Sequence, residues 1–340
     1  MSKKNSSVNL KEILEGNKEI LKNYSIFEKN LKKLKKNKFL VAVSGGSDSL
    51  ALTAYSKFYS LRRKSKFYFV LIDHNLRKNS SSEASSVKKL LRKHKISITV
   101  LKNNKTIKRN IQGSAREIRY ELLTSFCKKK KINVILTAHN LEDQVETFFI
   151  RLSRGSGLQG LSSMKQVNQL KNGIILARPL LDFKKKQLKQ TSKAVFGTYF
   201  KDPSNKNTKF LRIRIRKLKK AIEKSGIDYD QIYKSIKNLA SSRDTLDSYL
   251  KEAFKESVYL EKKKLIIKGQ IFNKLNQEFQ MKILSISIQK LSKSYYSPRS
   301  KKILYLLKKL KENNFKKSTL GGCAILKEKH DIILLKEENK

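Results

Sequence analysis

The stretch Phe39-Leu-Val-Ala-Val-Ser-Gly-Gly-Ser-Asp-Ser49 places five apolar residues directly before two glycines and a polar segment. An uninterrupted apolar run of this length is typical of a strand that is buried on both faces of a parallel sheet. Gly45 and Gly46 allow a tight turn and a close approach of the backbone to an anion. The N–H groups and the positive dipole end of a following helix would face that anion. The stretch therefore predicts a strand, a phosphate-binding turn and a helix, in that order.

The polar side chains of the turn indicate what kind of phosphate site it is. The hydroxyls of Ser44, Ser47 and Ser49 can donate hydrogen bonds to phosphate oxygens, whereas the Asp48 carboxylate would repel them. A Mg²⁺ ion between Asp48 and phosphate removes that repulsion, so we expect a metal there. The alternative is an ordinary Gly-Gly turn with a serine or aspartate as helix cap. The turn itself has neither the GxxxxGK[ST] pattern nor the GxGxxG pattern, so it is not a Walker loop or a dinucleotide-binding fingerprint.

The chain around this turn alternates between short apolar runs and helical patterns up to about residue 152. Further strand-like runs lie at 67–72, 96–101 and 134–136, and helical patterns lie at 48–61, 82–92, 114–129 and 141–152. Strands that alternate with helices of this length predict an α/β fold. We expect a parallel twisted sheet with helices on both faces.

The rest of the chain has a different texture. A basic amphipathic helix precedes the first strand, and the chain beyond about residue 196 has few strand-like runs. The apolar spacing from Tyr229 to Phe254 predicts one long helix, and two apolar runs after residue 320 predict a small hairpin. We expect four parts, which are a basic helix (1–36), an α/β catalytic domain (37–216), a mainly helical domain (217–312) and a short β tail (313–340).

The charge balance points to a polyanionic partner. Lys and Arg number 78 against 28 Asp and Glu, for a formal net charge of +50. Such a charge attracts nucleic acid, because basic side chains release the counterions of the phosphates that they neutralise. The alternative source of part of this charge is a lysine-heavy proteome encoded by AT-rich DNA.

The cysteines and the hydropathy indicate in which compartment of the cell the protein works. Cys127 and Cys323 lie far apart and form no CxxC pair. This excludes a disulfide framework and disfavours a zinc or iron–sulfur site. No apolar run approaches the ~18 residues of a membrane span, and the amino-terminal residues lack the apolar stretch of a signal peptide. We expect a cytoplasmic protein with no membrane partner.

Several motifs across about residues 38–216 resemble those of one family. SGGxDS after a first strand is similar to the signature of the N-type ATP pyrophosphatases, and the downstream segments resemble those of the tRNA(Ile)-lysidine synthetases. These segments are Ile72–Arg77 (IDHNLR) with Ser82–Ala84, Asn110–Tyr120 (NIQGSAREIRY), Thr137–Thr147 (TAHNLEDQVET), Arg151–Leu161 (RLSRGSGLQGL), Arg178–Leu181 (RPLL) and Asp202–Asn205 (DPSN). The tail segment Leu320–Cys323 is faintly similar to the carboxyl-terminal module of that family.

The resemblance implies a fold like that of the adenine nucleotide α-hydrolases and a two-step ligation. In this family ATP adenylates the O2 carbonyl oxygen of the wobble cytidine in a CAU-anticodon isoleucine tRNA and releases pyrophosphate. The amine of free lysine then displaces AMP and leaves lysidine. The resemblance thus implies ATP and Mg²⁺ as requirements and tRNA(Ile), L-lysine and ATP as partners, and it leaves a homodimer open.

Matching positions imply roles for particular residues. The ATP-binding set is Ser44, Gly45, Gly46, Ser47, Asp48, Ser49, Asp73, His74 and Arg116. The catalytic set is Asp48, His139, Asp143, Glu146 and Arg212, with Asp48 also as the magnesium ligand. The tRNA-binding set is Arg151, Arg154, Arg178, Arg214 and Arg216, supported by the helical domain 217–312. The family usually has Asn where this chain has Ile213, which questions any hydrogen bond made there.

Three of these residues have roles that the sequence leaves open. His139 and Asp143 are four positions apart and Glu146 is three further on, so a helix would place them on one side. Such a cluster suits metal binding, recognition of the base, or removal of a proton from the lysine ammonium, which is mostly protonated at neutral pH. The alternative is that these side chains only cap the helix and pair with lysines.

Other classes of protein share parts of the pattern. A tRNA-thiolating ATP pyrophosphatase would need a persulfide cysteine or an iron–sulfur cluster, which two isolated cysteines disfavour. NAD and GMP synthetases share the turn but lack the RLSRGSGLQGL and DPSN segments. A non-catalytic RNA-binding relative has no need of Asp48, His139 and Asp143.

Overall fold

The computed structural model describes residues 10–75, 79–105, 111–170, 173–201, 207–261, 264–294, 297–312 and 314–337. Arg77 and Asn110, the Gln112 side chain and the segment 202–205, all quoted above as motif residues, lie outside the described part. The chain forms two compact units that divide between Leu239 and Ala240.

Strands and helices alternate through the middle of the first unit, and the second unit also contains both helices and strands. The helices are α1 (Leu10–Glu15), α2 (Lys18–Lys32), α3 (Ser47–Arg62), α4 (Ser80–Lys93), α5 (Ile111–Lys130), α6 (Leu141–Leu152), α7 (Leu158–Leu161), α8 (Lys185–Phe196), α9 (Leu211–Lys224), α10 (Tyr229–Ser257), α11 (Gly269–Phe272), α12 (Gln277–Ser292) and α13 (Ser300–Leu310). The strands are β1 (Lys38–Val43), β2 (Lys66–Asp73), β3 (Ile98–Lys102), β4 (Val134–Leu136), β5 (Val167–Gln169), β6 (Ile175–Ala177), β7 (Val258–Glu261), β8 (Lys264–Ile267), β9 (Lys317–Leu320), β10 (Cys323–Glu328) and β11 (Asp331–Lys336).

The sheet of the first unit has the order β3-β2-β1-β4-β6-β5. All its neighbouring pairs are parallel except β5 with β6, which confirms the predicted α/β class. The chain fills one side of β1 with β2 and β3 and then crosses to β4 on the other side. Because the strand order reverses there, a crevice opens outside the carboxyl ends of β1 and β4. The turn after β1 and the segment after β4 therefore meet at one edge of the sheet.

Both faces of this sheet are covered, as the apolar run of β1 predicts. Phe39 and Val41 pack in a core with residues of α2, α3 and α8. The intervening residue Leu40 faces a second core, where it packs with Leu123 and Cys127 of α5. The amino-terminal helices belong to the first core, and Tyr24 and Phe27 of α2 are fully buried in it.

The second unit has a five-stranded antiparallel sheet with the order β7-β8-β11-β10-β9. The predicted tail hairpin is present as β10 and β11, and the predicted long helix is α10. Strands β7 and β8 lie in the region predicted to be mainly helical. The prediction missed them because β7 is mostly exposed and β8 has only three buried residues, so neither has a long apolar signature. Among the described helices, none combines the length and the apolar composition that crossing a bilayer requires.

Candidate active site

The turn after β1 depends on a glycine that no other residue can replace without strain. Gly45 has a φ of +78°, and a Cβ placed on it would lie 2.5 Å from Cγ2 of Val87 and 3.3 Å from the Phe200 ring. Its carbonyl accepts a hydrogen bond of 3.0 Å from the backbone N–H of Phe200. The turn is therefore locked between α4 and the chain after α8, with its backbone close to both.

The first turn of α3 has no side-chain cap, which leaves it suited to an anion. The N-cap is Gly46, so the alternative of a serine or aspartate cap does not describe this turn. Ser49 Oγ instead accepts from the Ser44 N–H at 3.1 Å and donates to the Gly46 carbonyl at 3.0 Å. From α8, the hydroxyl of Ser192 donates to the Ser47 carbonyl at 2.9 Å and supports the turn from behind. The N–H groups of a helix start bind phosphate in many proteins.

Asp48 lies at the start of α3 with a side chain that is 23% exposed. Its Oδ1 accepts from Ser47 Oγ at 3.0 Å, and its Oδ2 accepts from Asn140 Nδ2 at 3.1 Å. Lys185 Nζ, from the first residue of α8, lies 3.6 Å from the same Oδ2. Burial raises the pKa of Asp48, while Lys185 lowers it and Asp143 raises it further. The site thus holds a carboxylate that a cation would stabilise.

The start of α6 is closed by a capping box. Asn140 Oδ1 accepts from the Asp143 N–H at 3.0 Å, and Asp143 Oδ2 accepts from the Asn140 N–H at 3.1 Å. The predicted capping role of Asp143 is therefore real, but its Oδ1 faces Arg212 instead. His139 precedes the N-cap, so the predicted shared helix face of His139 and Asp143 is wrong. The His139 ring shares a hydrogen bond of 3.0 Å with Thr137 Oγ1.

Helix α9 presents its basic face to the acidic face of α6. Glu146, with 4% of its side chain exposed, accepts from Arg212 Nε at 2.7 Å and from Arg216 Nε at 2.6 Å. Arg212 Nη2 also lies 3.2 Å from Asp143 Oδ1. One turn further, Lys219 Nζ is 3.6 Å from Glu142. The hydrogen bond that Arg216 donates to Glu146 raises the pKa of Arg216, which fits a strong ion pair.

The segment that carries Arg212, Arg214 and Arg216 is thus part of helix α9, and helical spacing decides which of these arginines meet. Arg212 and Arg216 are four residues apart and share the face that contacts α6, whereas Arg214 is exposed on another side. Ile213, which replaces the usual Asn of the family, is buried. At that position the chain therefore buries an apolar side chain.

Two histidines at the edge of the sheet are held neutral. Burial, followed by the charges of Arg178, Arg116, Arg212 and Arg119, lowers the pKa of His139 to about 3. Burial and Arg119 lower the pKa of His74 to about 4. Arg119 lies 3.3–3.4 Å from Nε2 of His74, while the buried Nδ1 of that ring has no partner among the described residues. Neither imidazole carries charge at neutral pH.

The carboxyl end of β2 is fixed by Asp73. Its Oδ1 accepts from the Asn75 N–H at 3.0 Å and its Oδ2 accepts from Ser81 Oγ at 2.7 Å. Burial acts to raise the pKa of Asp73, but these hydrogen bonds outweigh it and hold the pKa below its ordinary value. Asp73 therefore shapes the loop that carries His74.

The arginines predicted to bind ATP and tRNA fall into two groups. Arg116, Arg154 and Arg214 are exposed, and the guanidinium of Arg116 lies 5.0 Å from the centre of the Tyr120 ring. Arg151 donates to the carbonyls of Gly160 and Ser163. Arg178 is 5% exposed and donates to the Lys165 carbonyl at 2.6 Å. Arg151, Arg178 and Arg216 form the second group, and their side chains make contacts inside the protein.

Two residues of this site were not identified from the sequence. Lys185 stands in a run of three lysines, and nothing in that run distinguishes it from Lys184 or Lys186. Asn140 lies inside the TAHNLEDQVET segment, where its polar side chain before an acidic helix start was the available signal. No group of three or more His, Cys, Asp or Glu side chains that could hold a metal occurs among the described residues.

Comparisons with known proteins identify the family of this chain. Residues 20–222 match the family described as the PP-loop domain. The chain is 34% identical over 309 residues to the tRNA(Ile)-lysidine synthase of Wolbachia sp. subsp. Brugia malayi, covering 89% of this chain and 72% of the relative. It is 33% identical over 312 residues to the enzyme of the same name from Wolbachia pipientis wMel, again covering 89% and 72%.

A solved structure supports the fold. The U34-tRNA thiolase NcsA of Methanococcus maripaludis, solved with its [4Fe-4S] cluster, superposes with a TM-score of 0.55 at 17% identity. The match covers 65% of this chain and 78% of the thiolase, and at this identity it bears on the fold alone. The match of residues 20–222 to the PP-loop domain and the identity to the two relatives over 89% of the chain show that it belongs to the tRNA(Ile)-lysidine synthase family of PP-loop proteins.

Proposed function

We propose that this chain joins free lysine to the wobble cytidine of a CAU-anticodon tRNA(Ile) by way of an adenylated cytidine. Its family membership makes it an ATP-using enzyme that acts on tRNA. The observation that carries the finer proposal is the meeting of the phosphate-binding turn with the acidic start of α6, which Asn140 joins to Asp48 at 3.1 Å. The ATP, the cytidine base and the lysine amine must meet at one edge of the sheet. This edge has side chains and backbone groups that suit each of the three.

The first step requires a leaving pyrophosphate whose charge is masked. The cytidine O2 attacks the α-phosphorus and the bond from that phosphorus to the pyrophosphate oxygen breaks. We assign the turn Ser44–Ser49 and the uncapped start of α3 to the phosphates, and the loop of Asp73 and His74 to the adenine side. Lys185 is a further cation for the phosphates, because it already lies beside Asp48. Fixed donors of this kind stabilise charge that develops in the transition state.

The residues around Asp48 fit a magnesium ion that is shared with ATP. Mg²⁺ is commonly held by one or two carboxylates together with substrate phosphates, and Asp48 is a partly exposed carboxylate at the mouth of the turn. Its raised pKa shows that the fold alone under-stabilises its charge. The ion would supply charge neutralisation to the leaving pyrophosphate.

The second step requires a neutral amine beside the activated base. The lysine nitrogen attacks C2, the bond from C2 to the adenylate oxygen breaks, AMP leaves and the nitrogen loses a proton. We assign Asp143 to hold the amine and accept that proton. His139 is uncharged, so we assign it a hydrogen bond to the cytidine ring. Glu146 is occupied by two arginines, and we assign it to positioning Arg212 beside Asp143.

Among the residues predicted to bind tRNA, we propose that the exposed ones make the contacts with RNA. Arg154 and Arg214 are exposed, and the net charge of +50 favours a polyanion. The prediction for Arg151, Arg178 and Arg216 stays untested, and the internal contacts of Arg151 and Arg216 fit positioning roles. A homodimer also stays a prediction. We propose a cytoplasmic location, where ATP, lysine and tRNA meet.

The thiolating alternative finds no support in the cysteines. Cys127 and Cys323 are buried and belong to different compact units. Burial raises the pKa of the Cys127 thiol to about 12. A cysteine that carries a persulfide needs an exposed thiol with a low pKa.

The test is incubation of the protein with ATP, L-lysine and a CAU-anticodon tRNA(Ile). We expect tRNA-dependent release of pyrophosphate and incorporation of labelled lysine into the tRNA. Pyrophosphate release without lysine incorporation would rule out the ligation, and no use of ATP would favour an RNA-binding relative.

A further inference from the structure

Arg178 is a buried cation with unused hydrogen-bonding capacity. The residue follows β6, one strand from Thr137 and His139, and the Thr137 N–H donates to the Ala177 carbonyl at 3.0 Å. One guanidinium nitrogen donates to Lys165, but the buried Nε–H has no partner among the described residues. A buried donor without a partner costs free energy, so its retention calls for an explanation.

The surroundings of Arg178 are basic. Arg116 and Arg151 are among the charged groups that act on it. The strongest charge effects on the neighbouring His139 also come from arginines, with Arg178 first. Buried cations are ordinarily paired with an anion, and this part of the sheet edge therefore suits an anionic group of a ligand.

We propose that Arg178 binds the carboxylate of the free amino acid that this enzyme attaches to tRNA. The inference rests on the proposed function and adds the residue that distinguishes an amino acid from a simple amine. Lysine carries an ammonium at one end and a carboxylate beside its other amine, so its site needs charges of both signs. The acidic side chains of α6 suit the ammonium, and Arg178, at the end of the nearby β6, suits the carboxylate.

The depth of Arg178 selects this ligand over the other anions of the reaction. The ATP phosphates have the turn after β1, and a tRNA phosphodiester is part of a bulky polymer. With 5% of its surface exposed, Arg178 is out of reach of a polynucleotide backbone. A free amino acid is small enough to enter a site of this depth.

The experiment compares L-lysine with 1,5-diaminopentane, which is lysine without its carboxylate. In the wild-type protein we expect lysine to have the lower KM. In Arg178→Met the KM for lysine should rise at least about tenfold, the effect of losing a charge-assisted hydrogen bond, while the KM for the diamine changes by less than about twofold. Arg178→Lys should fall between the two. Arg92→Met, an exposed arginine on α4, is the matched control and should change neither value.

Separate readouts distinguish failure of this inference from failure of the proposed function. Release of pyrophosphate with tRNA and no lysine tests adenylation, and thermal unfolding tests whether Arg178→Met folds. Equilibrium binding of lysine, lysinamide and diaminopentane to the wild-type protein needs neither turnover nor a variant, and lysine should bind tightest. Equal weakening of both amines in Arg178→Met, a change in tRNA affinity alone, or lysinamide binding as tightly as lysine would each overturn the assignment.

Discussion

The phosphate-binding turn and the contact between α6 and α9 lie in one unit but depend on different kinds of interaction. The turn is set by backbone geometry, with a left-handed Gly45, hydrogen bonds among Ser44, Gly46 and Ser49, and hydrogen bonds from Ser192 and Phe200 to backbone carbonyls of the turn. The α6–α9 contact is set by side-chain charges that are more than sixty residues apart in the chain. The turn has no room for an added side-chain atom at Gly45. The α6–α9 contact, in contrast, should tolerate replacement of a charged residue by another of the same charge. The two should therefore respond differently to substitution.

The largest expected effect concerns the charge inside the turn. Asp48→Asn keeps the shape of the side chain and removes the charge that would hold a metal against the phosphates, so turnover should fall by at least about 10³-fold. Binding of tRNA, measured by filter retention, should be unchanged because Asp48 lies in the phosphate site. Retained turnover would show that the turn works by backbone donors alone, and lost tRNA binding would contradict its assigned role.

The next effect tests the charge network. Glu146→Gln leaves two arginines facing a neutral amide, and removal of one partner of a buried ion pair costs about 3 kcal/mol of stability when the arginines stay partly exposed. Urea unfolding measures this loss. Glu121→Gln, which breaks an exposed pair with Lys105, should cost less than about 1 kcal/mol. Equal costs in the two variants would mean that the α6–α9 contact is only a surface pair.

A pH effect follows from the neutral histidine between these regions. The pKa of folded His139 is about 3, below its ordinary 6.5, so below pH 6.5 the unfolded chain takes up a proton that the folded chain refuses. Stability should therefore fall as the pH drops from 6.5 toward 3. Between pH 7.5 and pH 5 the wild type should lose about 2 kcal/mol more than His139→Gln. Parallel urea titrations at the two pH values measure the difference, and equal losses would show that His139 titrates normally.

The smallest effect separates one lysine from its neighbours. Lys185→Met removes the cation beside Asp48 and should raise the KM for ATP about tenfold, the cost of one charge-assisted contact. Lys186→Met, an exposed neighbour on α8, should leave this KM unchanged. If both variants change it alike, the charge of the lysine run matters and the position of Lys185 does not.

Local patterns in the sequence predicted the elements and the turn, because each depends on neighbours in the chain. The apolar run of β1, the paired glycines and the spacing of α10 are examples. The partners of the charged residues were not predictable in the same way. Glu146 was assigned to catalysis, but its contacts with Arg212 and Arg216 depend on how α9 packs against α6. His139 was placed on the helix because the pattern does not reveal that Asn140 is the cap.

The second unit shows the same division between local and distant information. Hairpin β10–β11 was predicted, since its strands are adjacent in the chain and both have buried apolar runs. Strand β8 pairs with β11 across more than sixty residues, and its short sequence Lys264–Ile267 carries no sign of that partner. Residues 217–312 were accordingly expected to be mainly helical.

Helix α9 has a consequence for the order in which this unit assembles. Its sequence, Leu211–Lys224, contains seven Lys and Arg residues and a single Glu, and like charges one turn apart, such as Arg212 and Arg216, repel each other in an isolated helix. Glu146 offsets that repulsion because it accepts hydrogen bonds from both arginines. We therefore expect helix formation in this segment to depend on α6, with α9 folding against the carboxylates of α6 once they are in place.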